Sequence, residues 1–445
     1  MSKEIGNSTL PDWARKYASA FFSISPFPYP FPEFNPEFKS RILKMVAPSM
    51  IQSNVVLGTN LVCCLDIDAT QIVKAGDSKV NVLFYNVYHA ALIKSLVYQA
   101  MLGSPQSKVF EFLRDFASSQ LYNRGRIAKA FMLKDEKASF FYTNTNPLSP
   151  GEYSLRAQIS HKYLPKIPFQ GVLDLVDQFI LTHEIGHFRL SQKDPFIAQM
   201  HANAMEIFES VLNSTHPTDF ARFKAATNNW GFKIDQEYYN NLMLERERLL
   251  RDKSRLVEEL TCDMFATWEL AKLHFYSHQE APVSPNSAKS LFSSIFLVAQ
   301  ASQFIQHIRD LTFKYFEKKG TSEISNEMFF RNAFLLSTGT GIIENLKHSY
   351  QGLIPIGFEK GRENFSFDGI RKTMNGVKDF FDNYLTLPFG KSLWYMAQST
   401  AAKSSSDELR SLYERHVDLV DQNAAIQIAT PHVENFILSE YFSFE

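Results

Sequence analysis

Cysteine is scarce in this chain, and long apolar runs are missing. Its 445 residues include three cysteines, of which Cys63 and Cys64 are adjacent, and this number does not suffice for a disulfide framework. No run of about 18 apolar residues occurs, so no membrane span is expected. No apolar signal core follows the first residues. Together these absences predict a cytoplasmic protein.

An excess of charge of either sign is also missing. The chain has 46 basic and 47 acidic residues and no block of basic residues. A nucleic-acid partner is therefore not expected, because binding a phosphate backbone requires clustered cations. The chain is rich in phenylalanine, with 40 residues. We expect most of them in the core of a chain long enough for two or three domains.

The most informative segment that is present is 183–187, which reads His-Glu-Ile-Gly-His. Two imidazoles four residues apart lie on the same face of a helix and can bind one metal ion. Glu184 is then placed to hold a water molecule beside that ion. Apolar residues at helical spacing lead into the segment, which predicts that both histidines continue a buried stripe. A pair of core histidines is the alternative, but each would need its own polar partner.

Two acids on a later predicted helix supply a possible third ligand. Glu259 and Asp263 share one otherwise apolar stripe, and hydrolytic zinc sites use three protein ligands with a fourth position for water. This predicts Glu259 as the third ligand. Asp263 would accept a hydrogen bond from a ligating histidine and fix its tautomer. A surface acid pair, bridged to Arg255 and Lys253, is the alternative.

Two further alternatives concern neighbouring residues. Glu258 and Cys262 could turn inward together, and a thiolate beside the metal would suit a structural site better than a hydrolytic one. Asp177 also lies on the helix of the first motif. It points away from the buried stripe, so we expect it to be solvated.

The pattern His-Glu-x-x-His followed by Glu259-Leu-Thr-Cys-Asp263 resembles the gluzincin metallopeptidases. It is most similar to the branch that includes the prenyl-protein endopeptidases and their soluble relatives, although Cys262 stands where alanine is more usual. The resemblance covers about residues 165–275. It implies a Zn²⁺ cofactor and a peptide or protein substrate. The membrane-spanning helices of some members are absent here, so their lipid-modified substrates are not carried over.

The resemblance and the motif together predict a metallopeptidase mechanism. The metal would lower the pKa of its bound water to roughly 7, and Glu184 would act as general base and later protonate the leaving amine. Possible donors to the oxyanion are His274, Tyr276, His278, Arg255 and His201. Two other functions stay open: a catalytically inactive zincin-derived binding or regulatory module, and a sensor protease that acts on a single partner.

The predicted fold class is α+β and predominantly helical, with a zincin-like catalytic core, a small β-sheet and a helical C-terminal region. We divide the chain into an N-terminal α/β region (1–150), the metallopeptidase core (151–280) and the helical region (281–445), through which a regulatory partner could act. The boundary is placed at the proline-containing stretch 280–287. Within the core, residues 154–160 alternate as an edge strand would, and they could bind substrate backbone beside residues 138–143.

Further elements follow from local pattern. β-rich runs lie at 54–66 and 80–85, and a charged helix begins near Gln236. Glycines in the segment 337–341 predict a helix break. Helices are predicted at 88–102, 106–119, 288–317, 326–347, 367–384, 392–402, 406–423 and 430–441.

Overall fold

The computed structural model describes parts of the chain, most continuously in its central half. The described residues are 55–60, 71–74, 81–102, 169–227, 235–277, 285–317, 327–349 and 367–386, with parts of 36–50, 109–117 and 388–393. The predicted strands at 138–143 and 154–160 lie outside these residues, as do the predicted helices after residue 393.

Most of the described residues are helical, as the sequence predicts, and three short strands are present beside the helices. In chain order the elements are β1 (Val55–Asn60), β2 (Gln71–Lys74), β3 (Asn81–Asn86), α1 (Val87–Leu102), α2 (Phe169–Ser191), α3 (Pro195–Thr215), α4 (Phe220–Thr227), α5 (Gln236–Arg251), α6 (Lys253–Ser277), α7 (Pro285–Glu317), α8 (Glu327–Ser349) and α9 (Phe367–Phe380), which continues as a π-helix (Phe381–Thr386). The first residues of α1, α5, α7, α8 and α9 are within three residues of the predicted ones. The zincin-like core stays a prediction.

The three strands form one sheet in the order β1-β3-β2. β1 pairs with β3 in parallel, with Val55 opposite Asn81, and β2 pairs with β3 antiparallel, with Ile72 opposite Leu83. β1 lies within the predicted run 54–66, and β3 matches the predicted run 80–85 to within one residue. β2 has only four residues, too few for a local alternation to stand out.

The largest buried cluster draws side chains from all three predicted regions, from Phe38 to Leu393. The long helix α7 packs against α1, α2, α8 and α9. It begins at Pro285, inside the stretch 280–287. Proline is well tolerated in the first turn of a helix, so this residue is compatible with the start of α7. The described part of the C-terminal region therefore shares its core with the helices that carry the motifs. Among the described helices, none is long and apolar enough to cross a lipid bilayer.

Helix α8 continues through residues 337–341, so the predicted helix break is wrong. Gly339 lies against α9, where an added Cβ would stand 3.1 Å from Cε of Met374. A glycine inside a helix can serve close packing rather than termination. Here the contact with Met374 on α9 indicates that Gly339 serves close packing rather than termination.

Asp177 is fully buried, so the prediction that it is solvated is also wrong. Its carboxylate lies 2.7 Å from Nζ of Lys94 on α1 and accepts a hydrogen bond of 2.5 Å from the hydroxyl of Tyr85 on β3. Helix α2 packs against α1, β2, α6 and α7. A helix covered in this way buries polar residues outside its apolar stripe, and those residues need partners.

The chain turns sharply just after the first motif. The N–H of Asp194 donates to the carbonyl of Arg189 and that of Lys193 to Leu190, which is a Schellman ending with Lys193 at φ 57°. The Asp194 side chain then caps α3 by accepting from the backbone N–H groups of Phe196 and Ile197. These contacts fix the direction of α3 relative to α2.

Candidate metal centre

The centre lies where α2 packs against α6. Gly186 faces α6, and an added Cβ would stand 3.2 Å from Cδ1 of Phe265 and 3.3 Å from Sγ of Cys262. The missing side chain lets the two helices approach closely. His183 and His187, on either side of Gly186, therefore come within reach of Glu259.

Three side chains meet at one point. The Nε2 atoms of His183 and His187 are 3.2 Å apart, and each lies 3.5 Å from a carboxylate oxygen of Glu259. Ligand atoms around a tetrahedral zinc ion, with bonds of about 2.0–2.1 Å, are separated by about 3.3 Å. These three residues could therefore hold a metal ion with little rearrangement.

The far nitrogen of each imidazole faces a carboxylate. Nδ1 of His183 lies 3.0 Å from Oδ1 of Asp263, and Nδ1 of His187 lies 3.2 Å from Oε1 of Glu258. A carboxylate at Nδ1 favours the tautomer with its proton there, which leaves the Nε2 lone pair for a metal. Asp263 thus lies beside the outer nitrogen of a potential metal ligand.

Glu258 and Cys262 do not form the alternative ligand pair. Glu258 faces the outer nitrogen of His187, and Cys262 is buried against Gly186. The potential ligand group found among the described residues contains Glu259 and neither of these two. The sulfur of Cys262 lies in the contact between α2 and α6, so this side chain takes part in helix packing.

Arg331 and Gln303 are polar partners that the sequence reasoning missed. Nε and Nη2 of Arg331 donate to Oδ2 of Asp263 at 3.0 and 2.8 Å, and its Nη1 donates to Glu259 at 3.3 Å. Nε2 of Gln303 donates to the same oxygen of Asp263 at 3.2 Å. The sequence gives only a weak signal for these two contacts, because α7 and α8 carry many other polar residues.

These contacts set the charges of the centre. Burial opposes a charge on His183, but the carboxylates of Asp263 and Glu259 outweigh burial and raise the pKa of His183 to about 10. Burial and the nearby charge of His183 lower the pKa of His187. Burial would raise the pKa of Glu259 and Asp263, yet His183 and Arg331 outweigh it and hold both below the usual range. The two carboxylates are therefore ionised.

Glu184 and the three potential ligands line one cavity of about 550 Å³. Helix α2 also contributes apolar side chains to it, while α7 and α8 contribute mainly polar ones. The other lining residues are His89, Phe179, Ile180, Arg255, Asp263, Ser302, Gln303, Gln306, His307, Arg309, Asp310, Glu327, Met328 and Arg331.

The predicted oxyanion donors have different positions. Arg255 lines the cavity and donates to Glu327 at 2.5 Å. His201 lies 3.1 Å from the Thr261 hydroxyl, away from the described cavity lining. His274 and Tyr276 belong to α6, but their side chains are outside the described part of the structure. His278 lies beyond the described end of that helix.

No family model, curated protein or solved structure matches this chain.

Proposed function

We propose that this protein is a zinc-dependent metallopeptidase that hydrolyses peptide bonds in a peptide or protein substrate. One observation carries the proposal: two imidazole Nε2 atoms and a carboxylate converge at 3.2–3.5 Å in the cavity that Glu184 also lines. Two histidines and one glutamate are a ligand set of catalytic zinc. A set of three ligands leaves one coordination position for water.

Zinc is the metal that best fits these donors. Imidazole and carboxylate together suit borderline divalent ions, and the close donor separations suit short bonds and tetrahedral geometry. Calcium would require six to eight oxygen ligands. The carboxylates at both Nδ1 atoms are the outer partners that zinc-binding histidines usually have.

The chain's own residues have distinct roles in the proposed reaction. When bound, the metal lowers the pKa of a water molecule to about 7 and polarises the scissile carbonyl. Glu184 accepts a proton from the attacking water, whose oxygen forms the new bond to the carbonyl carbon. Glu184 then returns the proton to the leaving amine as the C–N bond breaks. Asp263 and Glu258 keep the histidine protons on Nδ1 throughout.

Replacement of Glu184 by glutamine separates catalysis from metal binding. We expect Glu184→Gln to retain about one zinc per chain by elemental analysis, because Glu184 is not a ligand. Its cleavage of a peptide library should fall by about 10²- to 10⁴-fold. His183→Ala should lose both zinc and cleavage. Glu209→Gln makes the same chemical change at a half-exposed residue of α3 that pairs with Lys253. It should leave both zinc binding and cleavage intact.

Each outcome distinguishes one function. If the intact chain binds zinc and Glu184→Gln retains its biological activity, the protein is a zincin-derived binding module and the peptidase proposal fails. If the intact chain leaves the library uncut but cleaves one cellular partner, and Glu184→Gln does not, the protein is a sensor protease. New protein termini in cells that express each chain would detect that partner.

A further inference from the structure

Arg331 reaches the metal centre from α8, in the C-terminal part of the chain. Its Nε and Nη2 atoms donate to Oδ2 of Asp263 at 3.0 and 2.8 Å, and its Nη1 donates to Oε2 of Glu259 at 3.3 Å. The guanidinium group is planar and its donors have a fixed spacing. One rigid group therefore sets the relative position of two carboxylates that lie one helical turn apart on α6.

Asp263 transmits this contact to a metal ligand. Its Oδ2 oxygen accepts from Arg331 and Gln303, while Oδ1 lies 3.0 Å from Nδ1 of His183. The residue is 1% exposed, so no solvent competes for its oxygens. Any rotation of this carboxylate away from Arg331 also moves the partner of His183.

We propose that Arg331 is a positioning residue of the metal centre, which fixes Asp263 and Glu259 so that His183 and Glu259 present their donor atoms to one metal ion. The inference rests on the proposed function and assigns a role in the centre to helix α8. The C-terminal helices thereby hold the metal site from outside the two motifs.

A purely electrostatic role for Arg331 makes the opposite prediction. A cation near the centre repels a divalent ion, so its removal would strengthen metal binding if charge were the only effect. Loss of positioning would weaken binding, because misplaced ligands must be reordered. Arg331→Lys keeps the charge but loses the planar set of donors, and Arg331→Met loses both.

Zinc affinity of the full chain, measured by competition with a chelating indicator at fixed pH and salt, tests the proposal. We expect Arg331→Lys and Arg331→Met to bind zinc about 10- to 100-fold more weakly than the natural chain. Arg309→Met is the matched control. Arg309 lines the same cavity, pairs with Asp310 and is 12% exposed, against 14% for Arg331. This control should bind zinc within about threefold of the natural chain, because the described ion pair of Arg309 is with Asp310 rather than with an acid of the centre.

Two further measurements separate positioning from general damage. The visible spectrum of the Co²⁺-loaded chain reports ligand geometry, and it should change in Arg331→Lys but not in Arg309→Met. Urea unfolding checks the fold, and if Arg331→Met does not fold, Arg331→Lys decides. Unchanged affinity in Arg331→Lys, or tighter binding in Arg331→Met, overturns the inference alone. Absence of zinc binding by the natural chain overturns the proposed function and the inference together.

Discussion

Glu258 and Glu259 are adjacent in sequence, yet their carboxylates face different atoms of the centre. The oxygens of Glu259 lie 3.5 Å from both Nε2 atoms, whereas Glu258 lies 3.2 Å from Nδ1 of His187. From its position, Glu259 could hold a metal ion together with the two histidines. From its position, Glu258 could orient the His187 ring.

The two glutamates should therefore differ in their effect on metal affinity. We expect Glu258→Gln to weaken zinc binding by about 10- to 100-fold, the usual effect of losing an outer partner. Glu259→Gln should weaken it further, because a direct bond to the metal is lost. Chelator competition measures both variants under the same conditions. If Glu258→Gln weakens zinc binding more than Glu259→Gln does, then Glu258 is the ligand and Glu259 is not.

His216 should make the stability of the fold dependent on pH. Burial, together with the charge of Arg246, lowers the pKa of His216 to about 4. Above pH 6.5 this histidine is neutral in both the folded and the unfolded chain. Between pH 6.5 and 4 the unfolded chain binds a proton that the folded chain does not, so the free energy of unfolding falls as pH falls.

Urea unfolding at pH 7.0 and 4.5 tests this effect against a variant. We expect His216→Asn to remove on the order of 2 kcal/mol of the loss that the natural chain shows between these two values. Asparagine cannot titrate and keeps a polar group near Thr215, whose hydroxyl lies 2.8 Å from the ring. Equal losses in the two chains would show that His216 is not buried in neutral form.

The residues of the centre differ in how far they are predictable from sequence. His183, Glu184 and His187 share one helix, as do Glu259 and Asp263, so local spacing alone brings each group to one face. Arg331 contacts acids 68 and 72 residues earlier in the chain, and no local pattern records such a contact. Burial of Asp177 depends on helices and strands packed around α2, which periodicity within α2 does not reveal.

At the scale of elements, Gly186 determines how closely α2 approaches α6. We expect Gly186→Ala to destabilise the fold by about 1–3 kcal/mol, because the side chains of Phe265 and Cys262 on α6 would stand 3.2 and 3.3 Å from the added Cβ and must move away. The same shift should weaken zinc binding, since it moves Glu259 away from the histidines. Urea unfolding and chelator competition measure the two effects.

Gly171 provides the matched control on the same helix. An added Cβ there meets no atom within 4 Å, so Gly171→Ala should be neutral or stabilise the helix by up to about 1 kcal/mol. It should leave zinc affinity unchanged. If the two alanine variants behave alike, close packing at Gly186 does not position the ligands.

Element existence was more predictable than element packing. The helices α1, α7, α8 and α9 follow from the local pattern of each segment, and α5 follows from a run rich in charged residues. The continuation of α8 through Gly339 does not, because a contact with Met374 on another helix gives that glycine its role. The small strand β2 is not predictable from its own four residues, because it depends on pairing with β3.

At the scale of the whole molecule, the centre joins helices that are far apart in sequence. α2 supplies two potential metal ligands, α6 supplies the third, and Arg331 of α8 contacts both Glu259 and Asp263. A ligand that binds only the folded state stabilises it, by about 4 kcal/mol when its free concentration is a thousand times its dissociation constant. The metal should therefore stabilise more than the two motif helices.

Removal of the metal should loosen α8 as well as α2 and α6. We expect faster amide hydrogen exchange in all three helices when zinc is withdrawn with a chelator and slow exchange when zinc is restored, because Glu259 links the ion to Arg331. Helix α5, which contributes no side chain to the described cavity, serves as an internal reference and should change little. His183→Ala should show no zinc-dependent change in any helix. Protection confined to α2 and α6 would mean that the metal acts only between the two motifs and that α8 is energetically separate from them.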